Sequence, residues 1–146
     1  MASQISGHGL RALTRRDGVI LLRFSSRSKT LPAMIEEVFS PRLLFTLSPS
    51  GDVALVLPDD AWKEHPTSLP AETEFHVLRA LCIIDAIGDG MSGATITACR
   101  IYAALAGAGI VIHALSMSDI GMRLVLEEAQ ADRAMDIICR AVPILK

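Results

Sequence analysis

Gly88-Asp89-Gly90-Met91-Ser92-Gly93 stands between an apolar run at 81–87 and a helix-forming run at 95–106. Glycines at this spacing, between a strand and a helix, let the chain turn sharply and offer unpaired backbone amides to an anion. A dinucleotide fold asks for more: after the next strand, a second crossover helix and a third parallel strand, with an acidic residue at the strand end to hold the ribose. Here the strand predicted at 110–117 leads through Ser118-Asp119-Ile120-Gly121 into a strand at 122–126, which is a hairpin. His113, Ala114 and Leu115 occupy the place of the expected acid. The hairpin counts against a nucleotide, and a plainer reading leaves the glycines only the task of turning a strand into its helix.

The remaining candidate chemistry is sparse. Glu36-Glu37, Asp59-Asp60 and Glu127-Glu128 are adjacent carboxylates, which point in different directions on a helix or strand and so form no general acid/base pair. His8, His65 and His76 have no metal-ligand spacing to one another or to the cysteines. Cys82, Cys99 and Cys139 lie in apolar stretches without a C-x-x-C pair and are predicted to be buried, reduced thiols. Met91, Met117, Met122 and Met135 fall on or beside predicted core elements and read as packing. Ser25-Ser26-Arg27-Ser28-Lys29 reads as a polar loop. No metal or cofactor is expected.

The elements that must position these residues form a repeated plan. The first half reads as a strand at 18–25, an amphipathic helix at 30–39, strands at 43–47 and 53–57, and a short helical piece at 60–64 ahead of Pro66 and Pro70. A strand at 75–80 runs into the second half. There a strand at 81–87, the glycine loop, a helix at 95–106 stopped by Gly107-Ala108-Gly109, two strands, and a helix at 128–142 follow in order. The expected fold is α+β: two ferredoxin-like βαββαβ repeats, over 1–74 and 75–146, with antiparallel sheets and helices on one face.

The 146 residues suffice for one ordinary domain or two small ones that share support. The composition, 51% hydrophobic and 21% charged with net charge -2, is that of a well-cored chain. Its mean hydropathy of +0.41 comes from Ala, Ile, Leu and Val. No uninterrupted apolar run reaches the roughly 18 residues of a membrane span, and Arg11, Arg15 and Arg16 precede no apolar signal region, so a cytoplasmic protein is expected. Residues 1–42 are basic, but no aromatics are interleaved with the charges, which argues for a solvated face and against nucleic acid.

Three runs carry a resemblance: Ala86-Ile87-Gly88-Asp89-Gly90-Met91, then Tyr102 through Ile110, then Ile112-His113-Ala114-Leu115-Ser116-Met117-Ser118-Asp119-Ile120. In their order and spacing they resemble the C-terminal regulatory region of aspartate kinases, which carries two ACT domains. The match spans 81–140; in the first half, Ile5 to Leu10 followed by Val19 to Phe24 is similar more weakly. The resemblance implies a non-catalytic regulatory module, a homodimer that binds a free amino acid, lysine or threonine, and signals to a kinase catalytic domain or subunit. It places the effector carboxylate against Gly90, Met91, Ala94, Ile96 and Thr97, and the strand side of the site at Ile112 and His113. The family commonly holds the ammonium with an acidic side chain where this chain has His113. An ACT-like module that only dimerises, without ligand, is the competing expectation.

Overall fold

The computed structural model describes residues 9–25, 45–47, 52–62, 74–88 and 96–144. The loop residues 89–95 and the helix predicted at 30–39 lie outside them. By contact the chain forms two compact units, one of residues 18–81 and one of residues 1–17 with 82–146. This division differs from the repeats expected over 1–74 and 75–146, which follow chain order.

In the unit of residues 18–81, strand β1 (Ala12–Ser25) pairs antiparallel with β3 (Asp52–Pro58), and β3 with β2 (Phe45–Leu47). The run Val19 to Leu22 is buried on both faces, which explains why it reads as continuous apolar sequence rather than as an alternation. Ile20, Leu22, Phe24, Leu55 and Leu57 form a core against which Ala61, Trp62, Phe75 and Val77 pack. Phe75 meets Phe24 edge-on at 5.6 Å between ring centroids and Trp62 at 4.9 Å. The helical piece expected at 60–64 is a 3-10 turn over Asp59–Ala61, and residues 63–64 lie outside the description.

The strands expected at 75–80 and 81–87 are one, β4 (His76–Ile87). Ala80 interrupts it in the left-handed region, with φ 56°. That single residue breaks the side-chain alternation, so two strands are visible in the sequence where the backbone makes one.

In the other unit, β4 continues beside β6 (Gly121–Glu127), and β6 pairs antiparallel with β5 (Ile112–Ser118) through a two-residue hairpin, Asp119-Ile120. Helices α1 (Ile96–Gly107) and α2 (Ala131–Ala141) cover one face of these strands. Cys82, Ile84 and Ala86 from β4 and Met122, Leu124 and Leu126 from β6 meet Ala98, Ile101 and Leu105 of α1 and Ala131, Ala134 and Ile138 of α2. Periodicity predicts these helix contacts, because the buried positions recur every three or four residues.

The same spacing explains a correction. Cys82 is buried, but Cys99 and Cys139 are exposed, since each lies next to a buried helix position (Ala98, Ile138) and turns away from the core. Met117 is likewise 37% exposed on β5, while Met122 is buried and Met135 packs partly against the core. Met91 lies outside the described residues.

The predicted stop of α1 is a Schellman cap. Ile110 N–H donates to Leu105 O at 3.1 Å and Gly109 N–H to Ala106 O at 3.0 Å, with Gly109 at φ 76°. Ile110 and Leu105 sit in the same core cluster, which adds the apolar contact of that motif.

β1 begins six residues earlier than the sequence suggests. Thr14, Arg15, Arg16 and Asp17 are exposed, so this part of the strand lacks an apolar alternation. Tertiary bonds hold it: Arg11 N–H donates to Ile87 O at 2.6 Å, Leu10 N–H to Pro143 O at 2.9 Å, and the Arg15 guanidinium pairs with Asp17 and with Asp132 of α2. Asp17 first, and then Asp132, raise the Arg15 pKa further above its already high value.

Candidate functional site

β4 ends at Ile87, and Gly88 N–H donates to Ile120 O at 2.9 Å, so the glycine loop leaves the sheet beside the β5–β6 hairpin. The chain is next described at Ile96, where α1 opens. Gly90, Met91 and Ala94 therefore lie outside the described residues. Ile96 is the first residue of α1, and Thr97 is 3% exposed, the buried polar residue among those described. The first turn of α1 holds no carboxylate. The partial positive charge of the helix start, equivalent to roughly +0.5, is thus not offset by an acidic side chain of its own turn.

The strand side has a distinct geometry. Along β5 the register runs Ser118↔Gly121 up to Ala114↔Val125, then shifts so that Ile112 faces Leu126. His113 is the extra residue of that β-bulge. A bulge leaves one residue outside the ladder and re-aims its side chain. The His113 imidazole is 19% exposed, with Nε2 3.9 Å from Oε1 of Glu127, which is 59% exposed at the end of β6. Ile112 packs against the helix-face core, the same cluster that holds Ala98, the neighbour of Thr97.

The start of α1 and the start of β5 thus belong to one packed unit. Glu127 is not legible in the sequence as part of this site. There it reads as one of two adjacent solvated carboxylates; only the β5–β6 register brings it to His113. Counting residues outward from the two-residue hairpin reaches Val125, but the bulge adds the step that sequence alone does not show. Among the described residues no three His, Cys, Asp or Glu side chains cluster as a metal site, and no helix is long and apolar enough to cross a membrane.

A two-helix, one-face α+β unit of this kind, with the first helix followed by a hairpin, is an ACT-type, ferredoxin-like fold. No family model matches the sequence, and no curated protein matches it. Solved structures do match. The ligand-free regulatory subunit of aspartate kinase from Thermus thermophilus superposes with a TM-score of 0.78 at 12% identity, over 93% of this chain and 99% of that one. A structure of aspartokinase alpha and beta subunits gives 0.76 at 16% identity, over 90% and 97%. Escherichia coli aspartokinase III in complex with lysine and aspartate gives 0.69 at 17% identity, over 92% of this chain and 33% of that longer one. This chain has the fold of the aspartate kinase regulatory region.

Proposed function

We propose that the chain is a regulatory module whose tandem ACT repeats, over 1–74 and 75–146, bind a free amino acid and bias a kinase catalytic domain or subunit between two states. The observation that carries this reading is the likeness to a separate regulatory subunit over nearly the whole of both chains, 93% and 99%. The effector carboxylate docks on the loop amides around Gly90, Met91 and Ala94 and on the start of α1 at Ile96 and Thr97. The ammonium lies at the β5 end, by Ile112 and His113.

An imidazole is not a permanent anion, so His113 cannot itself replace the acidic side chain of the family. Glu127 supplies that charge from the neighbouring strand, within 3.9 Å of His113. Two chains pair side by side to complete the site, in a cytoplasmic homodimer. A ligand can shift this equilibrium only by its differential affinity for the two arrangements, typically about 1 to 3 kcal/mol.

His113 favours one alternative, a pairing module without ligand: a protonated imidazole would take up the Glu127 charge and repel an ammonium. Thermal unfolding with each of the twenty amino acids, and with NAD and ATP, separates the readings. Saturation at about 100 times the dissociation constant adds roughly 2.7 kcal/mol, a rise of roughly 5 to 11 °C at this chain length. A rise with lysine or threonine supports the sensor. No rise with any compound favours the pairing module, and a rise with NAD or ATP alone sinks both.

A further inference from the structure

Two strands run through both units. β1 up to Asp17 belongs with residues 82–146, and from Gly18 onward it belongs with the contiguous unit. β4 does the reverse: its residues 76–81 lie in the contiguous unit and Cys82 to Ile87 in the other. The chain passes between the units only at these two points, 17–18 and 81–82. Beside each crossing stands a left-handed residue, Gly18 at φ 69° and Ala80 at φ 56°. Among the described residues the remaining one of that conformation is Gly109 in the helix cap, so both of those inside strands fall at the crossings.

β1 and β4 are neighbours in the sheet. The early part of β1 shares a unit with the late part of β4, so the two strands run antiparallel. Their outer end is the bond from Arg11 N–H to Ile87 O. From Arg11 to Gly18 and from Ile87 back to Ala80 are both seven steps, which brings the two left-handed residues to the same level of the ladder.

Glycine takes this conformation freely, whereas an alanine in it is disfavoured roughly tenfold against its ordinary backbone forms. Such strain persists where the surroundings over-determine the backbone. Ala80 is itself exposed, but the next four residues, Leu81 to Ile84, are buried. On β1, Thr14 to Asp17 are exposed and Val19 to Leu22 are buried. On each strand the left-handed residue thus marks the step from a solvated stretch to a packed one. Two demands oppose each other at Ala80: the packed flank holds the kink, and the alanine favours the extended form. Opposed preferences of similar size make a two-state element.

We propose that Gly18 and Ala80 form a two-strand hinge, where the backbone passes between this kinked form and an extended one and so changes the orientation of one unit against the other. β4 carries the change from Ala80 to Ile87, and the glycine loop begins at the next residue. That an amino acid at this loop biases the hinge rests on the effector reading; the hinge itself needs no ligand.

The test is 15N relaxation dispersion on the full chain without added amino acid, which should show microsecond-to-millisecond exchange at the amides of Gly18, Val19, Ala80 and Leu81. Ala80→Gly accepts the left-handed form at no steric cost and should shrink the minor population about tenfold, while Ala80→Val, branched at Cβ, should enlarge it by a similar factor. Energy transfer reads the orientation. Trp62, the single tryptophan, lies in the contiguous unit, and an acceptor on the exposed Cys139, in a Cys99→Ser background, lies in the other. Ala80→Val should show a second distance that Ala80→Gly lacks. Quiet amides at both residues, a minor population that Ala80→Gly leaves unchanged, or a single unaltered distance in folded Ala80→Val overturns the hinge; Ala80→Gly decides the matter if Ala80→Val folds poorly. Exchange that follows the Ala80 variants but is unmoved by any of the twenty amino acids keeps the hinge and overturns the effector reading.

Discussion

The Cys82 thiol is fully buried in the helix-face core, and that burial, reinforced by nearby Asp17, pushes its pKa up to about 11. An unfolded thiol titrates near 8.5, so above that pH the unfolded chain loses its proton first. The stabilisation is complete below about pH 8.5 and drains away as the pH rises toward 11, a loss of about 3 kcal/mol from this group. Denaturation midpoints measured from pH 8 to 11 should fall, and Cys82→Ala should flatten that slope while lowering stability at neutral pH. The exposed Cys99 and Cys139 should react with an alkylating reagent in the native state while Cys82 stays protected, giving two labels by mass spectrometry. At His113, replacement by Asp adds a permanent charge beside Glu127 and should tighten a cationic amino acid; an unchanged affinity by calorimetry would remove the residue from the site.

Among the elements, α1 ends on two glycines with opposite roles. Gly107 is helical, with nothing within 4 Å of a built Cβ, whereas Gly109 holds φ 76° in the cap. Gly107→Ala should stabilise by up to about 1 kcal/mol, and Gly109→Ala should destabilise by about 1 kcal/mol or more, both read from urea midpoints. The sequence spells out this cap, as it does the β5–β6 hairpin and the buried stripe of α2, because each is written in local spacing and turn chemistry. It conceals what depends on distant partners. The early part of β1 is fixed by Ile87, Pro143 and Asp132, not by alternation, and the left-handed Ala80 makes one strand read as two. In the candidate site, Thr97 and Ile112 enter only through the family resemblance, and the meeting of His113 with Glu127 is not legible at all, since it hangs on one extra residue in a ladder.

For the molecule as a whole, the proposed pairing predicts that sedimentation velocity will show a dimer whose dissociation constant falls in the presence of a bound effector, because a site completed by two chains links the two equilibria. A monomer at every concentration, with or without amino acid, would sink that assembly. The unit that carries the candidate site is assembled from two stretches far apart in the chain, 1–17 and 82–146, whereas the other unit, 18–81, is a single stretch. Leu10 bridges to Ile144, next to the bond from its amide to Pro143. On a ribosome the contiguous unit has all its residues in hand long before Ile144 emerges, and the other unit must wait for Pro143 and Ile144 to close on Leu10. Closing so long a loop is slow compared with local folding. The unit of residues 1–17 and 82–146 is thus the last part of the chain to mature, and substitutions that weaken the Leu10 closure should show first as slowed refolding and lost yield.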